Sequence, residues 1–229
     1  MRHQREIALG VRTTQAAGLA VALLVPFGMI AALVAARAGA LHDLDMRVAD
    51  RLHASALEHP ALVDAMLWWS LILHPNTWRV AAVLLAIWLA RRRETVLVWW
   101  VVATMAAGGV LGGVLKLLFG RHRPDLLDPV ARATGYSFPS GHALNAALGA
   151  AVFLLVLLPR TAGRTKRAAL VVAAVVLPLI TAYARVALGV HWTSDVLAGM
   201  LLGVAVPAVT VAVFQGRRVR VESGGVHIR

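Results

Sequence analysis

Lys116, Arg121, His122 and Arg123 stand where one long apolar segment ends, and Pro139-Ser140-Gly141-His142 stands where the next begins. A helix start offers unpaired backbone N–H groups and the positive end of the helix dipole, so cations facing amide donors make a seat for an anion. Ser140 is of the type that caps a helix, and Gly141 lets a ligand come close to the backbone. With His142 between them, the set points to phosphoryl chemistry. Further on, Arg185 lies in an otherwise apolar segment, where an arginine costs roughly a few kcal/mol and needs a partner or a task. Snorkelling to the interface is the plainer reading, since the segment ends three residues later. His191 and Asp195 are four residues apart, on one helix face, so the carboxylate can orient the ring and fix its tautomer. Taken alone, such a pair is more often structural than catalytic.

These groups must be positioned by segments that are mostly apolar. Of the 229 residues, 59% are apolar, and the mean hydropathy is +0.74. Soluble domains sit nearer 45–50% apolar by a rough average. Runs of spanning length follow one another, which reads as one polytopic membrane domain over residues 1–229, all-α, with six transmembrane helices. The expected spans are Ala16–Ala36, Thr77–Ala90 (or an earlier start near Ile72), Val96–Phe119, Gly141–Leu158, Ala168–Leu188 and Ser194–Phe214. A signal peptide competes for the first, because Ala38-Gly39-Ala40 has the look of a cleavage site; the apolar run is longer than usual for one, which favours a retained anchor. Residues 37–76 carry mixed charge, and within them Ala61–Leu73, with Trp68-Trp69, suits a short interfacial helix. Gly108, Gly109, Gly112 and Gly113, and later Gly199 and Gly203, offer faces for close helix contact. Residues 1–15 and 215–229 read as basic termini, the second flexible. The absence of cysteine excludes disulfides and thiolate metal sites.

The charge sets the orientation. The net +12 raises the question of nucleic acid. However, 14 of the 23 lysines and arginines fall in residues 1–15, 91–94, 160–167 and 215–229, which six spans put on one side. That side is expected to be cytoplasmic, and nucleic acid is unnecessary as a partner. The loops at 120–140 and 189–193 then share the non-cytoplasmic face.

Together, Lys116-x6-Arg123-Pro124, Pro139-Ser140-Gly141-His142 and Arg185-x5-His191-x3-Asp195 resemble the type-2 phosphatidic acid phosphatase family. That family includes bacterial undecaprenyl-diphosphate phosphatases and is related to vanadium haloperoxidases. The resemblance implies that His191 is the nucleophile and forms a phospho-histidine, with Asp195 holding it. It implies that His142 protonates the departing lipid oxygen and later activates water. Lys116, Arg123 and Arg185, helped by Ser140 and the Gly141 N–H, would hold the phosphoryl oxygens. Ala184 stands where the family usually has serine, so one hydroxyl is missing. Arg121 and His122 are expected to be solvated loop residues outside the site.

The chemistry also holds without the family name. Attack on a phosphate anion is opposed by charge, and cations around the equatorial oxygens relieve that repulsion. One neutral histidine attacks while another, protonated, serves as acid. The resulting expectation is a membrane enzyme of the bacterial cytoplasmic membrane, acting at the non-cytoplasmic face on lipid phosphates or diphosphates without a cofactor or metal. Undecaprenyl diphosphate ranks first as substrate, then phosphatidic acid and phosphatidylglycerol phosphate. Two other classes compete. One is a metallohydrolase with His142, His191 and Asp195 as ligands, which the neighbouring cations disfavour. The other is a non-catalytic lipid-phosphate binding or transport protein. A haloperoxidase fits less well, because the spans point to membrane-held substrates.

Overall fold

The computed structural model describes residues 12–126, 130, 131 and 133–224, and side chains are described only as far as Gln215. The basic residues before Arg12 and after Gly224 lie outside the described residues. The described chain is helical: α1 (Thr13–Ala35), α2 (Gly39–Leu57), α3 (Pro60–Ile72), α4 (Pro75–Arg91), α5 (Thr95–Phe119), α6 (Gly141–Leu157), α7 (Arg164–Ala187) and α8 (Thr193–Gly224). A short 3-10 turn, Leu158–Arg160, extends α6. Five helical stretches are long and apolar enough to cross a membrane, and α3 with α4, bent by 41°, brings the number to six where the pair counts as one span. The chain is a polytopic integral membrane protein.

The centre is the α6–α8 pair. A Cβ on Gly199 would lie 2.7 Å from the Ser140 carbonyl oxygen, and one on Gly203 would lie 2.6 Å from that of Leu144. Only glycine lets the two backbones approach so closely. On α5 the small face is half used: Gly108 and Gly112 meet Leu148 and Leu144 of α6, whereas Gly109 and Gly113 face open space. Trp78 of α4 lies flat against Gly149 of α6, where a Cβ would come within 2.1 Å of the indole.

Two features go beyond what the apolar runs alone show. The mixed-charge segment before the second span, to which hydropathy assigns no element, forms a helix: Asp45, Ala49, His53 and Ala56 are buried along one face of α2, the i, i+4 stripe of a packed helix. Its sparse apolar content hides that stripe from hydropathy, and the helix packs on α3, α7 and α8. The short helix expected at Ala61–Leu73 does form, as α3, and together with α4, across a bend of 41°, it is long and apolar enough to span. The break falls at His74, whose ψ of 148° is extended, because the following proline disfavours helical backbone before it. In addition, α8 runs on to Gly224, past the span's expected end at Phe214.

The two ends of the bundle are distinct. At one, Glu94 before α5 pairs with Arg160 after α6, and Thr13 Oγ1 donates to Gln215 Oε1 at 3.0 Å. Trp100 Nε1 donates to Thr210 Oγ1 at 3.2 Å, which puts that part of α8 beside the start of α5. The other end gathers the close of α5, the loop to α6, the start of α6 and the α7–α8 connection.

Candidate active site

Gly120 ends α5 in the left-handed conformation, φ 54°, and its N–H closes on the Lys116 carbonyl at 3.1 Å. That turn sends Arg121–Arg123 back across the bundle end. Ser137 then ties the loop shut: its N–H donates to Arg121 O at 2.8 Å, and its hydroxyl donates to His122 O at 3.0 Å. Phe138, fully buried, packs against Phe119 and Phe27 and anchors the approach to α6.

Within this frame Lys116 and Arg123 converge on one carbonyl. Lys116 Nζ donates to Tyr136 O at 2.7 Å, and an Arg123 terminal nitrogen reaches the same oxygen at 3.3 Å. Arg123 also donates to the carbonyls of Gly135, Thr134 and Val190. Burial pushes the Arg123 pKa down and Asp195 pulls it back up. The side chain is held in place by backbone oxygens, and among the described residues no carboxylate bonds to it directly.

The start of α6 meets the start of α8: the Ser140 N–H donates to the Asp195 carbonyl at 3.0 Å. Ser140 sits at the N-cap position, yet its side chain makes no capping bond. Among the described residues its hydroxyl is buried with no hydrogen-bond partner, and so is Arg185 Nε. Unsatisfied buried polar atoms carry a cost, and here they mark a place for an acceptor. The Lys116 side chain passes 3.8 Å from a Cβ position on Gly141. His142, in the first turn of α6, meets the ring of His74 edge-on at 5.3 Å; His74 is the residue at the α3–α4 break.

His191 is 2% exposed and Asp195 is 0% exposed. The Arg123 guanidinium lies 3.1 Å from His191 Nε2. Because Arg can only donate, Nε2 carries the lone pair and the proton sits on Nδ1. Nδ1–H then faces Asp195 Oδ2 at 3.3 Å, and the same oxygen accepts the Trp192 N–H at 3.0 Å. Burial holds the His191 pKa down at about 4, against Asp195, which raises it; Arg123 and Arg185 add to the lowering. The result is a neutral imidazole whose Nε2 lone pair faces the Arg123 guanidinium.

All eight residues expected for the site occur at this one end, with His142 in the first turn of α6 and His191 two residues before α8. Arg121 corrects the expectation made for it. It donates to Asp195 Oδ1 at 2.7 Å, to Ser194 Oγ at 2.7 Å and to Asp45 Oδ2 at 2.8 Å. His122 does behave as an exposed loop residue. Asp45 and Ser194 were not anticipated at all. Among the described residues no three His, Asp or Glu side chains gather as a metal-ligand set.

Comparison with known proteins points the same way. Residues 97–218 match the model of the PAP2 superfamily. An undecaprenyl-diphosphatase of Sulfolobus acidocaldarius is 38% identical over 101 residues, covering 41% of this chain and 44% of that protein. Phosphatidylglycerophosphatase B of Bacillus subtilis is 40% identical over 97 residues, 41% of this chain and 46% of that one. The aligned stretches thus span less than half the length of these two relatives. The crystal structure of a transmembrane PAP2-type phosphatidylglycerolphosphate phosphatase from Bacillus subtilis superimposes with a TM-score of 0.74 at 25% identity. That match covers 86% of this chain and 96% of the other.

Proposed function

The chain belongs to the PAP2 superfamily, and from that premise we propose that it is a membrane lipid phosphatase working through a phospho-histidine on His191. The observation that carries the proposal is the His191 lone pair on Nε2, fixed by Asp195 and aimed beside Arg123. The unpartnered Ser140 hydroxyl and Arg185 Nε lie at the same end. Nε2 attacks phosphorus, and the bond from phosphorus to the leaving oxygen breaks with its electron pair on oxygen. Protonated His142 gives that oxygen its proton. Water then attacks phosphorus, loses a proton to His142, and the P–N bond breaks to release inorganic phosphate and restore His191.

Lys116, Arg123 and Arg185 supply the positive field for the equatorial oxygens, with Ser140 Oγ and the Gly141 N–H as neutral donors. This set does the work of a bound dication, so the reaction is expected to run without metal or cofactor. Undecaprenyl diphosphate is the first-choice substrate, with phosphatidic acid and phosphatidylglycerol phosphate next. The names of the two relatives support that order only as a class of membrane lipid phosphates. The acyl or prenyl chain would lie in the bilayer while the headgroup meets the site at the non-cytoplasmic face, in keeping with the basic loops at the opposite end.

The test is phosphate release by the purified protein from a panel of these lipids, with His191→Ala as control. Wild type should release phosphate from at least one lipid, and His191→Ala should fall to background while keeping its thermal midpoint in detergent. Equal rates in the two proteins would end the assignment.

A further inference from the structure

Arg121 has no task in the reaction above, yet its guanidinium bonds to three side chains at the site, two of them carboxylates. One end of its guanidinium holds Asp195 Oδ1 at 2.7 Å; the other holds Asp45 Oδ2 at 2.8 Å. Asp45 comes from α2 and is 1% exposed. Its Oδ1 accepts the Ser194 N–H at 2.9 Å and its Oδ2 accepts the Ser194 hydroxyl at 2.5 Å, so it caps the start of α8 from outside. The Arg121 guanidinium also lies over the Trp192 ring at 5.6 Å, and the Trp192 indole N–H is tied to His122 O at 2.9 Å. A planar fork thus bridges two buried carboxylates from elements far apart in the chain.

The consequence concerns direction. Arg121 takes Asp195 Oδ1 and the Trp192 N–H takes part of Oδ2, so the carboxylate plane is fixed and Oδ2 faces His191 Nδ1. Turning that carboxylate would break a charge-assisted bond at a position shielded from solvent, since Asp195 is fully buried. Resting on the histidine-nucleophile reading, we propose that Arg121, anchored by Asp45, is a positioning residue that aims Asp195 and through it the His191 imidazole. The polar helix α2 then has a role as the arm that delivers Asp45.

The test uses the full-length protein in detergent micelles, with undecaprenyl diphosphate and phosphatidic acid as probes. Arg121→Gln and Asp45→Asn should lower kcat by roughly 10–100-fold, the scale of loss from small misplacement of reacting groups, with KM changed by no more than about twofold. In an Asp195→Asn background, Arg121→Gln should add no more than about a further twofold, because a residue acting through Asp195 has nothing left to act on. A nitrogen-15 NMR signal for His191 Nδ1–H should move in both single variants. Additive losses in the cycle, or an unmoved His191 signal in folded variants, would overturn the proposal. So would failure of both Arg121→Gln and the isosteric Asp45→Asn to fold, which would assign the pair to the fold alone. If wild type releases phosphate from neither probe, the lipid-phosphatase reading fails by itself, and the NMR signal still decides this one.

Discussion

Two histidines stand at this bundle end in different company. His191 has a carboxylate on one nitrogen and a guanidinium on the other, whereas His142 meets another imidazole, that of His74. An imidazole oriented by Asp through Nδ1 presents Nε2 for attack, and one without a carboxylate clamp is freer to exchange a proton. The low His191 value, about 4, has a definite sign. An ordinary histidine takes up its proton near pH 6.5. Hence the unfolded chain binds that proton first as pH falls, and the stability due to a neutral buried His191 is present above about 6.5 and is lost toward 4. Nitrogen-15 NMR of histidine-labelled protein should show His191 as the neutral Nδ1–H tautomer at pH 7, with a midpoint well below 6.5; a midpoint at 6.5 or above would contradict the geometry. Lys116, Arg123, Ser140, Gly141, His142, Arg185, His191 and Asp195 could be picked out as candidates because local spacing carries them. Asp45, Arg121 and Ser194 were not: their bonds join residues 76 and 149 positions apart, and no local pattern announces such a meeting.

Among the elements, α6 and α8 set the tolerance of the whole site. Ser140 and Asp195 are joined by one backbone bond, and the glycines of α8 let the two helices meet with that bond intact. Gly203→Ala would bring a methyl within 2.6 Å of a backbone oxygen, while Gly109→Ala on α5 would meet nothing within 4 Å. The first should destabilise the protein by about 1–3 kcal/mol, the usual cost of overpacking, and reduce turnover. The second should be neutral or slightly stabilising, since alanine favours helix over glycine. Thermal unfolding in detergent, followed by circular dichroism, checks both; equal effects would contradict the packing. Five of the six spans could be read from apolar length. The other was ambiguous because His74-Pro75 divides it, and α2 was missed because its buried stripe includes Asp45 and His53. Both failures have one cause: polar side chains serving the site interrupt the hydropathy that marks a helix.

On the scale of the whole molecule, the bundle separates a basic end from the end that gathers the candidate site, and the positive-inside tendency is the ground for proposing that the site faces the non-cytoplasmic side. The chain has no cysteine, so single reporters can be placed cleanly. Asp125→Cys, at an exposed position at the site end, should react with a membrane-impermeant maleimide on intact cells. Thr165→Cys, at an exposed position at the opposite end, should react only after permeabilisation. The reverse pattern would invert the topology. The most direct test of the central claim is to trap the intermediate. Purified protein mixed briefly with lipid carrying a radiolabelled terminal phosphate, then quenched in alkali, should hold acid-labile phosphate on the peptide containing His191, and His191→Ala should hold none. Turnover at the wild-type rate with no phosphate on His191, or label retained in the His191→Ala protein, would contradict it.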